Sequence, residues 1–147
     1  MRILFLGDIV GPSGCNVVKK FLPDIIKKRD LDFVVANGEN AADSGLGITE
    51  KISKELFSCG IDVLTTGNHV WDQKETAEHI EKEKKLLRPF NLTGPSPGKG
   101  FELFSSKNNH KIGVLNLMGN VFMKKCDDVF IKIEKFLNDY DLKKNYD

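Results

Sequence analysis

Phe33-Val34-Val35-Ala36-Asn37-Gly38-Glu39-Asn40 is a short apolar run that breaks into an Asn-Gly turn and at once presents a carboxylate and a carboxamide. The apolar part reads as a buried strand. The same pattern stands on both sides of it: residues 2–6 lead into Gly7-Asp8, and residues 63–66 lead into Gly67-Asn68-His69. Between these strands lie helical patterns. The first, after a Gly/Pro/Ser turn, carries Val17, Val18, Phe21, Leu22, Ile25 and Ile26, with Pro23 expected to kink it. The second follows a polar loop from 37 to 47, is capped near Thr49, turns Ile52 and Leu56 inward and stops at Gly60. The third opens with the capping-box spacing Asp72-x-x-Glu75. A β-α-β-α-β-α alternation predicts a parallel sheet with right-handed helical crossovers.

Downstream, residues 91–100 read as a loop and residues 101–104 and 111–117 as a hairpin around the polar turn 105–110. Asp127 or Asp128 then caps a last helix bearing Phe130, Ile133, Phe136 and Leu137, and residues 140–147 form a polar run with no concluding strand. The 147 residues suit one domain, and 40% hydrophobic content is enough for a real core. A formal charge of +1 with interspersed acids and bases argues against a strong field for nucleic acid or a membrane surface. No segment approaches the ~18 apolar residues of a membrane span. Cys15, Cys59 and Cys126 are odd in number and widely separated, which points to a reducing compartment, the cytoplasm, rather than to a disulfide framework.

Chemistry gathers in the loops that leave the C-terminal ends of the three early strands. In an open parallel sheet these ends share one edge, so Asp8, Glu39, Asn40, Asn68 and His69 converge there. Two carboxylates about 4 Å apart repel by roughly 4 kcal/mol at an effective dielectric near 20, so such a cluster calls for a cation, a shared proton or wide separation. Carboxylate and amide oxygens suit Mg²⁺ or Mn²⁺, and an imidazole shifts the choice toward Mn, Fe or Zn. A carboxylate such as Glu39 can bridge two cations, and a two-cation site hydrolyses phosphodiesters through an activated water. His69 titrates in the right range to protonate the leaving oxygen.

These stretches, with Ala41-Ala42, Val70-Trp71-Asp72, Arg88-Pro89-x-Asn91 and Gly94-x-x-Pro97-Gly98-Lys99-Gly100, resemble the YmdB-like family of calcineurin-type metallophosphoesterases from Met1 to about Phe136. The resemblance implies an α/β/β/α layered sandwich and a two-metal phosphodiesterase, with iron or manganese, acting on 2′,3′-cyclic nucleotides. It makes Asp8 and Asn40 ligands of a first metal, Glu39 the bridge, Asn68 a ligand of the second metal, and His69 the proton donor. The family carries further metal-binding histidines in Asp-Phe-His and Gly-Thr-His-Thr-His segments, and this sequence has neither. His79 and His110 match no ligand position. The expectation is therefore a single, incomplete metallophosphoesterase domain over 1–147, the N-terminal portion of such an enzyme.

Blander readings stand beside these. Asp8 can serve as a turn residue, Asn37-Gly38 as a tight turn, and Asn68-His69 as a helix cap. Trp71 reads as packing, and Lys124-Lys125 and Lys143-Lys144 as solvated faces. Gly94-Pro95-Ser96-Pro97-Gly98 matches a hydrolase elbow only literally, because two prolines are incompatible with the strand-to-helix turn. Gly7 to Gly14 is neither a dinucleotide fingerprint nor a Walker loop, and no nucleic-acid-binding motif is present. The rival to the enzyme is a catalytically silent metal- or nucleotide-binding half-domain, whose open sheet edge would let copies self-associate.

Overall fold

The computed structural model describes residues 1–123 and 125–140. Residues 141–147 of the polar run at the end of the sequence, Lys143 and Lys144 among them, and Lys124 lie outside the described residues. Strands β1 (Ile3–Asp8), β2 (Phe33–Asn37), β3 (Val63–Thr65) and β4 (Leu86–Leu87) form a parallel sheet in that order. Helices α1 (Gly11–Arg29), α2 (Glu50–Ser58) and α3 (Thr76–Lys82) are the crossovers. Strands β5 (Phe101–Ser105) and β6 (Lys111–Leu115) form an antiparallel hairpin, and α4 (Val129–Asp139) follows it.

Side chains alternate across a strand, and the alternation sorts the molecule into layers. Leu4, Leu6, Val34, Ala36, Leu64 and Leu86 point toward the helices and meet Leu22, Ile48 and Leu56. Phe33, Val35, Val63 and Leu87 point the other way and meet Phe104, Ile112 and Val114 of the hairpin. Each side chain wholly withdrawn from water in these layers contributes about 1.5–3 kcal/mol. On the hairpin's outer face Phe101 meets Phe136 of α4, ring centroids 4.7 Å apart. Helices, parallel sheet, hairpin and α4 give the α/β/β/α order.

Buried asparagines lace the two sheets together. Asn116 Nδ2 donates to the carbonyls of Thr66 (2.8 Å) and Leu87 (3.1 Å), tying the end of β6 to the ends of β3 and β4. Asn91, fully buried, donates to the Met118 and Asp127 carbonyls and accepts from the Met118 N–H. Its burial withdraws the Asn91 side-chain amide of the Asn91-Leu92-Thr93 stretch from solvent, while Thr93 stays exposed.

Several local expectations change. Gly11-Pro12-Ser13-Gly14 is the first turn of α1 rather than a preceding turn, since proline near a helix start needs no donor. Pro23 lies inside α1 without ending it. The Asp72-x-x-Glu75 capping box does not form: Glu75 is the N-cap residue of α3 with no side-chain cap bond, and its Oε1 accepts from the Glu50 N–H instead. Strand β4 was not anticipated, because two leucines are too short for any periodicity. Thr49 and Asp128 cap α2 and α4 as expected.

Candidate functional site

Register places the strand ends side by side: Asp8 pairs with Asn37, and Asn37 with Thr65. The β1–β2 register shifts between Leu6 and Asp8. After β2 the chain turns because Asn37 Oδ1 accepts the Glu39 N–H (2.9 Å) while the Gly38 N–H donates to the Thr65 carbonyl (2.9 Å). An Asn-Gly pair suits this turn, since a Cβ on Gly38 would stand 3.0 Å from Ile48 and 3.1 Å from Leu64. The turn throws Glu39 over the loop that follows β3. Its Oε1 accepts the His69 N–H at 3.2 Å, and its carboxylate lies flat against Gly67, where a Cβ would collide with both carboxylate oxygens. Glycine at 67 is what makes room for the carboxylate.

On the β1 side Asn40 Nδ2 donates to Asp8 Oδ2 at 2.9 Å. That bond fixes the amide so that Asn40 Oδ1 is buried with no hydrogen-bond partner. A buried acceptor without a donor loses about 1–3 kcal/mol unless something else approaches it. A hard cation is the fitting partner, because an amide oxygen beside a carboxylate is an ordinary oxygen donor pair for such an ion. Asn68 is half-buried in the turn between Gly67 and His69.

His69 has an orienting partner. Its Nδ1 stands 2.6 Å from Asp72 Oδ2, and a carboxylate only accepts, so Nδ1 carries the hydrogen and Nε2 is left for chemistry. Sequence reading assigned Asp72 to a helix cap. The His69-x-x-Asp72 spacing was the available signal, but the same spacing serves a cap equally well. Gly67 was likewise missed as a cradle, since only the fold brings Glu39 onto it.

The structure therefore joins Asp8 to Asn40, and Glu39 to the Gly67–His69 turn. Among the described residues no group of three or more His, Cys, Asp or Glu side chains surrounds a common point. The candidate set offers two carboxylates, Asp8 and Glu39, and two amides, Asn40 and Asn68. None of these residues lines the cavity of about 550 Å³ between β5 and α4, floored by Phe101 and Phe136, or the groove of about 740 Å³ between α1 and α2. His79 is no ligand either: buried, it shares a 2.7 Å hydrogen bond with Ser53 and ties α3 to α2. The three cysteines are free, and burial pushes each thiol above its ordinary range. Among the described residues no helix is long and apolar enough to cross a membrane.

Known proteins share this chain's sequence and fold. A 2′,3′-cyclic-nucleotide 2′-phosphodiesterase of Bacillus subtilis (strain 168) is 42% identical over 137 residues, 93% of this chain and 51% of that protein. A solved structure of a hypothetical protein from Thermus thermophilus superposes with a TM-score of 0.87 at 35% identity, over 96% of this chain and 54% of its own. A Mycoplasma pneumoniae structure described as a novel phosphatase gives the same TM-score at 30% identity, covering 96% and 52%. The chain thus spans about half the length of these relatives. The family described as YmdB-like protein matches residues 4–147, and the chain belongs to that family.

Proposed function

We propose that the edge formed by Asp8, Glu39, Asn40, Asn68 and His69 is the metal-binding half-site of a phosphodiesterase that hydrolyses 2′,3′-cyclic nucleotides or related phosphodiesters. The observation that carries this reading is the buried, unpartnered Asn40 Oδ1 held beside the Asp8 carboxylate. The name of the Bacillus relative supports the substrate class. Asp8 and Asn40 would hold one divalent cation, Asn68 a second, and Glu39 would bridge them. Iron or manganese suits the set once imidazoles join it, and magnesium suits the oxygen donors alone. When bound, the two cations supply Lewis acidity toward a phosphoryl oxygen and toward water. His69 holds a proton at Nε2 for the leaving ribose oxygen, and Asp72 engages Nδ1 and so fixes the ring with Nε2 unused by that bond. Free thiols suit a cytoplasmic protein.

A second reading, a silent metal-binding half-domain, is favoured by one observation, that among the described residues no three such side chains surround a common point. Titrating the chain with Mn²⁺ while following hydrolysis of 2′,3′-cyclic AMP separates the two. Weak binding with hydrolysis that rises with Mn²⁺ supports the enzyme, whereas binding with no hydrolysis supports the silent form. Glu39→Gln should weaken binding more than Asn40→Ala, because a bridge serves both cations and an amide only one; each first-sphere loss should exceed about tenfold. Absence of Mn²⁺ binding, or indifference of binding to both substitutions, would refute the site.

A further inference from the structure

We infer that the cavity between β5 and α4 is a binding site for a small anion that carries an aromatic ring, the chemistry of a nucleoside monophosphate. The cavity is separate from the metal edge, since none of Asp8, Glu39, Asn40, Asn68 and His69 lines it. Two stretches of sequence that the metal edge leaves unused build it. Arg88, directly after β4, supplies one wall, and Gly98-Lys99-Gly100, leading into β5, supplies the next. Glycine at 100 lets these segments meet, because a Cβ there would collide with the Phe90 backbone. At about 550 Å³ the cavity falls within the roughly 300–1,000 Å³ of small-ligand pockets.

One side of the cavity is positive. Its lining carries the cations Arg88, Lys99, Lys132 and Lys135 against the acids Glu102 and Asp139. Lys99 is held by Glu102 at 2.6 Å and Lys132 by Asp127 at 2.8 Å. Among the described residues Arg88 and Lys135 form no ion pair, and Asp139 lies exposed at the end of α4, where water screens it. Arg88 Nε donates to the Pro97 carbonyl at 3.0 Å and Nη1 to the Pro89 carbonyl at 2.9 Å. Two of the five guanidinium N–H groups thus hold the side chain still, and three remain. Neutral carbonyls leave its charge uncompensated. Partial burial lowers the guanidinium pKa from its ordinary value, with the charge of Glu81 opposing more weakly. Glu81 is engaged elsewhere, its Oε1 accepting the Gly98 N–H at 3.1 Å. A fixed, half-buried fork with donors to spare is the arrangement that grips an oxyanion through two parallel bonds.

The rest of the lining is aromatic. Phe101 meets Phe136 edge-on, Tyr140 stacks on Phe136 with centroids 4.5 Å apart and planes 18° apart, and Phe90 meets Phe136 at 5.6 Å. Phe136 is buried, while Phe90, Phe101 and Tyr140 are half-buried and keep ring surface open to a ligand. A flat heteroaromatic ring suits such surface, since it offers an apolar π face of its own. The two parts of the lining together select the occupant. A bare anion such as phosphate would leave the rings wet, and an uncharged ring would leave Arg88 without a counterion. A nucleoside monophosphate answers both, with its base against the Phe101 and Tyr140 rings and its phosphate toward Arg88 and Lys135.

Isothermal titration of the purified chain in metal-free buffer with 3′-AMP, adenosine and inorganic phosphate tests the site, and amide NMR locates the ligand. The expected result is 3′-AMP binding at least about tenfold more tightly than either fragment, with shifts at the Gly98, Gly100 and Tyr140 amides rather than at Gly67 and His69. Lys135→Glu, at an exposed position of α4 where folding is not at stake, should weaken 3′-AMP about tenfold and leave adenosine unchanged. The same charge change on α1, Lys20→Glu, should leave both unchanged. Arg88→Lys keeps the charge but loses the fork, and should weaken 3′-AMP about tenfold or more with the amide spectrum of the free chain otherwise preserved. Glu39→Gln should have no effect. Shifts gathered at Gly7, Gly67 and His69, or binding lost with Glu39→Gln, would assign the nucleotide to the metal edge and overturn the inference. Adenosine or phosphate binding as tightly as 3′-AMP overturns it as well, as does indifference to both Lys135→Glu and Arg88→Lys, or no binding at millimolar 3′-AMP.

Discussion

Replacing Gly67 by alanine perturbs the candidate site through one atom. The new Cβ would lie well inside 3.0 Å of Glu39 Oε1, Oε2 and Cδ, far within contact distance. Gly67 does not need a left-handed backbone, so alanine is sterically acceptable to its own peptide unit. The strain therefore falls on Glu39, whose carboxylate must retreat by about 1 Å, and a displacement of that size can cost about 10²-fold in a reacting or coordinating geometry. The retreat also breaks the 3.2 Å bond from the His69 N–H, worth about 1 kcal/mol. Against that, Gly→Ala reduces the freedom of the unfolded chain by about 0.4–1 kcal/mol, so the two stability terms nearly cancel. The expected signature is an almost unchanged Tm with Mn²⁺ affinity lowered about 10–100-fold, read by counting free Mn²⁺ in an electron paramagnetic resonance titration. Gly7→Ala is the control, since a Cβ there meets nothing within 4 Å. If Gly67→Ala binds Mn²⁺ like the parent while Glu39→Gln does not, the cradle has no role in holding the carboxylate and the reasoning fails.

Two further predictions concern a proton and a surface ion pair. In a completed enzyme, His69→Ala should lower kcat by about 10²–10⁴ with metal content unchanged, and Asp72→Asn should lower it less. Both defects should shrink on a nitrophenyl phosphodiester, whose leaving group needs little protonation; equal defects on both substrates with metal lost would reassign His69 to a ligand or scaffold. Between α1 and α2, Lys19 Nζ donates to Glu55 at 2.7 Å, which lowers the Glu55 carboxyl and raises the Lys19 ammonium. The Glu55 contribution is present above its ordinary 4.5 and lost as pH falls through the lowered value; the Lys19 contribution is present below 10.5 and lost as pH rises through the raised one. Glu55→Gln should therefore lower Tm slightly at neutral pH, with the difference closing in acid and in high salt. A difference that persists in strong acid would show that the pair is not its source.

The sequence by itself determined the strands and helices other than β4, because hydrophobic periodicity and caps such as Thr49 and Asp128 are local properties. It also determined that Asp8, Glu39-Asn40 and Asn68-His69 lie at one end of a parallel sheet, since each follows a strand and parallel strands end together. Partnerships were beyond it. Whether Asp72 caps a helix or holds an imidazole, whether glycine 67 is a turn or a cradle, and whether Asn40 keeps a free oxygen depend on contacts between residues that local pattern does not relate. Strand β4 was invisible for the same reason: two leucines become a strand only because β3 and the Lys99 segment offer hydrogen bonds on either side. Only the tertiary structure shows that the hairpin covers β2 to β4 and stops before β1, because coverage is a matter of where packed layers end in space rather than of which residues are apolar.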